Sequence, residues 1–133
     1  MRKIHGGLTV SLGAPFDDVV AATREALKRE GFGVLTEIDV QKTLKEKLGV
    51  DIAPHLILGA CNPPLAHAAL TADADISLLL PCNVTVREDS GGVIVSIVDP
   101  ATMAEMSAAP ELKDVATAAR EKLERVIRDL AAR

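Results

Sequence analysis

The chain has 133 residues, 48% hydrophobic and 26% charged, with a formal net charge of −4; this fits one globular domain over 1–133 and excludes disorder or a fibrous chain. Two Phe with no Tyr or Trp offer no aromatic platform for stacking, and the acidic balance lacks the clustered Lys and Arg that phosphates demand, so nucleic acid is not an expected partner. The longest apolar run, Ile76 to Pro81, is broken by Ser77 and too short to span a bilayer, the N-terminal charges lead into no apolar stretch, and two cysteines make no disulfide framework: the expectation is a cytoplasmic chain with reduced thiols and no membrane.

Leu8, Val10 and Leu12 alternate with Thr9 and Ser11, the period of a half-buried strand. After Gly13-Ala14-Pro15, apolar residues from Phe16 to Leu27 recur at helical spacing, with Asp17 and Asp18 near the positive end of the helix dipole and Gly31 as the stop. A second strand is predicted over Phe32 to Ile38, and a short charged helix from an Asp39 cap to Gly49. His55 to Cys61 is a compact apolar run bounded by Pro54 and Asn62-Pro63-Pro64, a third strand buried on both faces or nearly so. A helix then starts at the prolines and runs through Leu70; Ile76 to Leu80 fits a helical turn or a strand equally. Val84 and Val86 open a hairpin whose turn is Glu88-Asp89-Ser90-Gly91-Gly92 and whose second strand is Val93 to Val98. Asp99-Pro100 begins a short helix through Met103 and Met106. Pro110 opens the last helix, with an apolar stripe from Leu112 to Leu130 and Glu121–Arg125 and Glu124–Arg128 pairs on its opposite side. The fold class that follows is α+β: a two-layer sandwich with long helices on one face of a five-stranded, mainly antiparallel sheet.

The centre of the chain carries a resemblance. Pro54-His55-Leu56-Ile57-Leu58-Gly59-Ala60-Cys61-Asn62-Pro63, Leu65-Ala66-His67 and Leu79-Leu80-Pro81-Cys82-Asn83-Val84 resemble the bacterial and archaeal domain of unknown function family 302. Thr36-Glu37-Ile38-Asp39-Val40, Lys45-Glu46-Lys47-Leu48-Gly49 and Ser96-Ile97-Val98-Asp99-Pro100 fit the same pattern. The resemblance brings no established reaction with it and names no cofactor. It implies a fold like that of the TATA-box-binding protein, in the order β-α-β-β-β-β-α, without its nucleic-acid function. Two positions depart from the family pattern: His55 stands where an aromatic residue is expected, and Ser77 where glycine is common.

The Ala-Cys-Asn-Pro and Leu-Pro-Cys-Asn motifs end one strand and begin the next, so Cys61, Asn62, Cys82 and Asn83 are expected to meet at one edge of the sheet. The plainest reading of the cysteines is as small buried hydrophobes. A thiol-dependent redox pair, and a soft-metal site completed by His67 on the following helix, are the alternatives. His55 lies a whole strand away from Cys61, too far to share a metal. Asn62 reads as a helix cap. Asn83 has poor strand propensity and needs hydrogen-bond partners if buried. Glu37 joins the candidate ligand-binding set, as one of two carboxylates flanking Ile38 and a partner for Lys42 or Lys45. Strand alternation directs Leu35, Glu37, Ile94, Ser96 and Val98, with Thr9, Ser11, Asn83 and Thr85, to the face without helices, a mixture suited to a homodimer interface or a shallow cavity. The sequence therefore points to a homodimeric binding or accessory module for a small ligand at the two cysteine motifs, against a thiol redox enzyme or a purely structural dimer.

Overall fold

The computed structural model describes residues 7–133; His5 and the rest of the first six residues lie outside it. Five strands, β1 (Gly7–Leu12), β2 (Gly33–Asp39), β3 (His55–Cys61), β4 (Cys82–Asp89) and β5 (Gly92–Val98), form a sheet in the order β1-β5-β4-β3-β2. Every neighbouring pair is antiparallel. The two long helices, α1 (Phe16–Arg29) and α5 (Leu112–Ala131), both pack on this sheet. Shorter helices α2 (Val40–Leu48), α3 (Pro63–Ala72) and α4 (Pro100–Glu105) fill the connections. The α+β class and the five-stranded antiparallel sheet are those expected.

Local chemistry explains most boundaries. Asp39 Oδ1 accepts from Lys42 N–H at 2.9 Å and starts α2, and Gly49, with φ at 67°, ends it in the left-handed conformation that glycine adopts without strain. Asp99 Oδ1 caps α4 through Ala101 N–H at 3.0 Å, and prolines occupy the first helical positions of α3 and α4, where the missing N–H has no partner to lose. In the β4–β5 hairpin Asp89 faces Gly92 across a two-residue loop. Ser90 and Gly91 both have positive φ, the geometry whose twist matches that of the flanking strands. The segment Ile76 to Leu80, ambiguous in sequence, falls up to Leu79 in a 3-10 helix (Ala74–Leu79) that Asp73 caps through Asp75 N–H.

Alternation along the strands places Leu58, Val84, Val86, Val95 and Ile97 under the helices, where they bury fully against Val19, Leu27, Leu123 and Val126. The other face carries Thr9, Ile57, Thr85, Ile94, Ser96 and Val98, half-buried, with Asn83 exposed opposite Gly59. Glu37 does not join them. The β2–β3 register steps at Leu35, so that Val34 faces Ala60 and Thr36 faces Gly59. This bulge shifts the alternation by one residue. Glu37 consequently faces the buried Leu58 and pairs with Arg24 of α1, rather than with Lys42 or Lys45. On α5, Arg125 reaches across to Glu30 at 2.9 Å instead of pairing with Glu121, because the end of α1 lies beside it.

Candidate functional site

At the end of the sheet where β3 stops and β4 starts, α3, the 3-10 helix, α4 and the first turns of α5 draw together over the strands. They leave a cleft of about 390 Å³, within the range of small-molecule sites. Its space comes from small side chains. Ala66 and Ala69 of α3, Ala116 and Ala119 of α5, Ala60 of β3 and Ala104 of α4 line it among larger apolar residues such as Leu65, Leu80, Met103 and Val115. Phe32 is the single aromatic residue among those lining it, and none of the lining residues is Asp, Glu, Lys, Arg or His.

Three of the residues predicted for a ligand site line this cleft: Cys61, Asn62 and Cys82. Asn62 is engaged structurally. Its Oδ1 accepts from Leu65 N–H at 3.3 Å to start α3, while its Nδ2 donates to the Glu30 carbonyl at 3.2 Å, pinning the end of α1 to the start of α3. Both thiols are free. Cross-strand pairing sets Cys82 opposite Ala60 and Cys61 opposite Gly33, so the ladder does not face one cysteine with the other. Burial pushes the Cys82 thiol up to about 11, with a further push from Cys61, and a thiol so raised is a poor nucleophile at neutral pH.

The remaining candidates fall elsewhere. Asn83 lies on the helix-free face and is exposed, so no buried amide is left to satisfy. Glu37 is occupied by Arg24. His67 is exposed on α3 and does not line the cleft; its carbonyl accepts from Thr71 Oγ1. Among the described residues no three His, Cys, Asp or Glu side chains converge as metal ligands. His55 sits opposite Arg87 at the far end of β3, where desolvation and then the Arg87 charge lower its pKa.

Hydrogen bonds brace the far rim. Ser107 Oγ donates to Asp73 Oδ2 at 2.5 Å and accepts from Ala109 N–H at 3.1 Å. This joins the α3 terminus to the α4–α5 connection, and Arg120 Nε donates to Asp99 Oδ2 at 3.2 Å to hold α5 against the start of α4. The α5 contribution to the wall escaped sequence reasoning, which took Ala116 and Ala119 as part of an ordinary core stripe. The legible signal was alanine at i and i+3 on two helices at once, small side chains that leave room where the helices meet.

The family model described as Domain of unknown function DUF302 matches residues 8–130. The chain belongs to the DUF302 family. Within the family, it is similar to an uncharacterized conserved DUF302 protein from Bacillus stearothermophilus whose crystal structure shares 29% identity, covers 95% of this chain and 98% of that one, and gives a TM-score of 0.87. No curated protein matches the chain. Among the described residues no helix is long and apolar enough to cross a membrane.

Proposed function

We propose that this DUF302 chain is a binding module that holds a small apolar molecule in the cleft between α3, α5 and the adjoining ends of β3 and β4. The observation that carries this reading is a space of about 390 Å³ with an apolar wall, in which Asn62 is already engaged and Cys82 is held neutral. A void of that size lined by alkyl groups forfeits packing that a ligand would restore. The neutral fluorophore N-phenyl-1-naphthylamine should brighten on binding the protein, and Ala119→Leu, which puts a larger side chain into the wall, should abolish the signal while the circular dichroism spectrum is unchanged. Fluorescence that is absent with the native chain, or equal in the variant, would refute the reading.

The raised Cys82 thiol argues for cysteines as wall material and against a redox pair. At neutral pH a group at about 11 in place of 9.0 holds roughly a hundredfold less thiolate, so alkylation of Cys82 in the native protein should lag a free thiol by that order. Free thiols also suit a reducing compartment such as the cytoplasm.

A homodimer through the helix-free face belongs to the same proposal. Ile57, Ile94 and Val98 are part-exposed there among Thr9, Thr85 and Ser96, with Ile38 at 51% exposure beside them. Light scattering should report a dimer at micromolar concentration that Ile94→Asp disperses. A native monomer throughout that range removes the dimer and leaves the cleft reading intact.

A further inference from the structure

Resting on the cleft as the binding site, we infer that its ligand is an uncharged aliphatic molecule of about a dozen heavy atoms, with any polar end group at the Ser77 rim. Size follows from volume: about 390 Å³ divided by the ~30 Å³ that a water-sized atom occupies in a liquid gives roughly thirteen such atoms. Wall chemistry follows from the helices. The alanine pairs of α3 and α5 are each spaced by three residues, which puts each pair on one face of its helix, and the larger lining residues beside them are mostly alkyl. Phe32 is the one lining ring, so a guest meets mainly alkyl groups.

Charge excludes the commonest amphiphiles. An ionised head drawn into this wall would meet no counter-ion, because no lining side chain is ionisable apart from the thiols, and burying an unpaired charge is far more costly than any packing gained. The rim does not rescue an anion. Asp75, exposed in the first turn of the 3-10 helix, stands two residues before Ser77, and Asp73 precedes it. Arg24 of α1, which reaches the helix face of β2, is taken by Glu37. Ser77 is exposed and lines the opening; it offers a hydroxyl to a neutral end group such as an alcohol or ester. Leu35 and Leu70, also exposed and also lining the cleft, flank the entry with alkyl surface.

The test is displacement of bound N-phenyl-1-naphthylamine at pH 7.5 by decan-1-ol and by decanoate, on the native chain and on Ser77→Lys. Decan-1-ol should displace the fluorophore from the native protein, and decanoate should need at least about tenfold more. Ser77→Lys, an exposed substitution that supplies the missing cation and removes the hydroxyl, should improve decanoate by about tenfold and weaken decan-1-ol, reversing the native preference. Decanoate equal to or better than decan-1-ol on the native chain overturns the inference while the cleft stands as the site. Failure of both to displace a fluorophore that Ala119→Leu still abolishes also overturns the ligand class alone. Absence of fluorophore binding to the native chain overturns the cleft reading itself.

Discussion

One helix serves two unlike regions of this molecule. Toward its C-terminus α5 presents Leu123, Val126 and Leu130, which bury completely against α1 and the centre of the sheet. Toward its N-terminus the same face presents Ala116 and Ala119, and there a separate, smaller cluster forms around Ala69, Ile76 and Leu112 beside the open cleft. Backbone geometry and helical period do not change between the halves. Side-chain volume does. Where the stripe is leucine and valine the layers close to the density of a crystal, and where it is alanine they stand apart. The dense half supplies the stability that lets the other half remain under-filled.

The sharpest way to break this contrast is to empty the dense half. Leu123→Ala should lower stability by about 3–5 kcal/mol in denaturant unfolding, because it opens a void that fully packed neighbours cannot collapse into. Ala119→Leu, read in the same assay, should change stability by less than about 1 kcal/mol, since the added atoms enter space that already exists. Comparable losses from the two would mean that the halves are packed alike.

Gly59→Ala comes next, at about 1–3 kcal/mol by the same measurement. A Cβ there would stand 2.7 Å from Pro81 Cγ and collide with the Thr36 hydroxyl, so the helix-free face beside the cleft is as tight as the cleft is loose. Asn62→Ala should follow with a loss of about 1–2 kcal/mol and a lower melting temperature. It deletes both the cap of α3 and the tie to Glu30. Asn62→Asp, which keeps the acceptor and loses the donor, should fall between native and Ala.

The smallest effect belongs to His55, remote from both regions. Its folded pKa is lowered, so in the window just below 6.5 the unfolded chain binds the proton more readily than the native one. Stability should therefore be complete above that value and decline as pH falls through it toward the folded pKa. His55→Gln should flatten this part of the stability–pH curve. A native curve no steeper than the variant's would contradict the burial and the Arg87 charge assigned to the imidazole.

Much of the architecture is legible in the chain because it depends on neighbours in sequence. Asp39, Asn62 and Asp99 announce helix starts, Gly31 and Gly49 announce stops, and the strand alternation of 93–98 survives intact in β5. The cleft is different in kind. It gathers residues from β3, α3, the 3-10 helix, β4, α4 and α5, and its defining property is an absence of volume shared among them, which no local window contains. The paired cysteine motifs led to the right end of the sheet, and Asn62 caps α3 as its place before the prolines implies; Asn83 follows the strand alternation to the opposite face and so does not join the site expected there. Glu37 was misplaced for a narrower reason: counting by twos fails after an inserted residue, and the bulge at Leu35 leaves no mark in composition.

That inserted residue behaves like a frameshift with its own correction built in. Removing Leu35 would leave Val34 and Thr36 consecutive, opposite Ala60 and Gly59, which are already consecutive. Every later residue of β2 would keep its partner and its side. The ladder is thus indifferent to whether position 35 exists, and evolution is free to spend it on something else. In this chain it holds a leucine, 67% exposed, at the mouth of the cleft: the one position of β2 that the register with β3 skips is the one that lines the cleft.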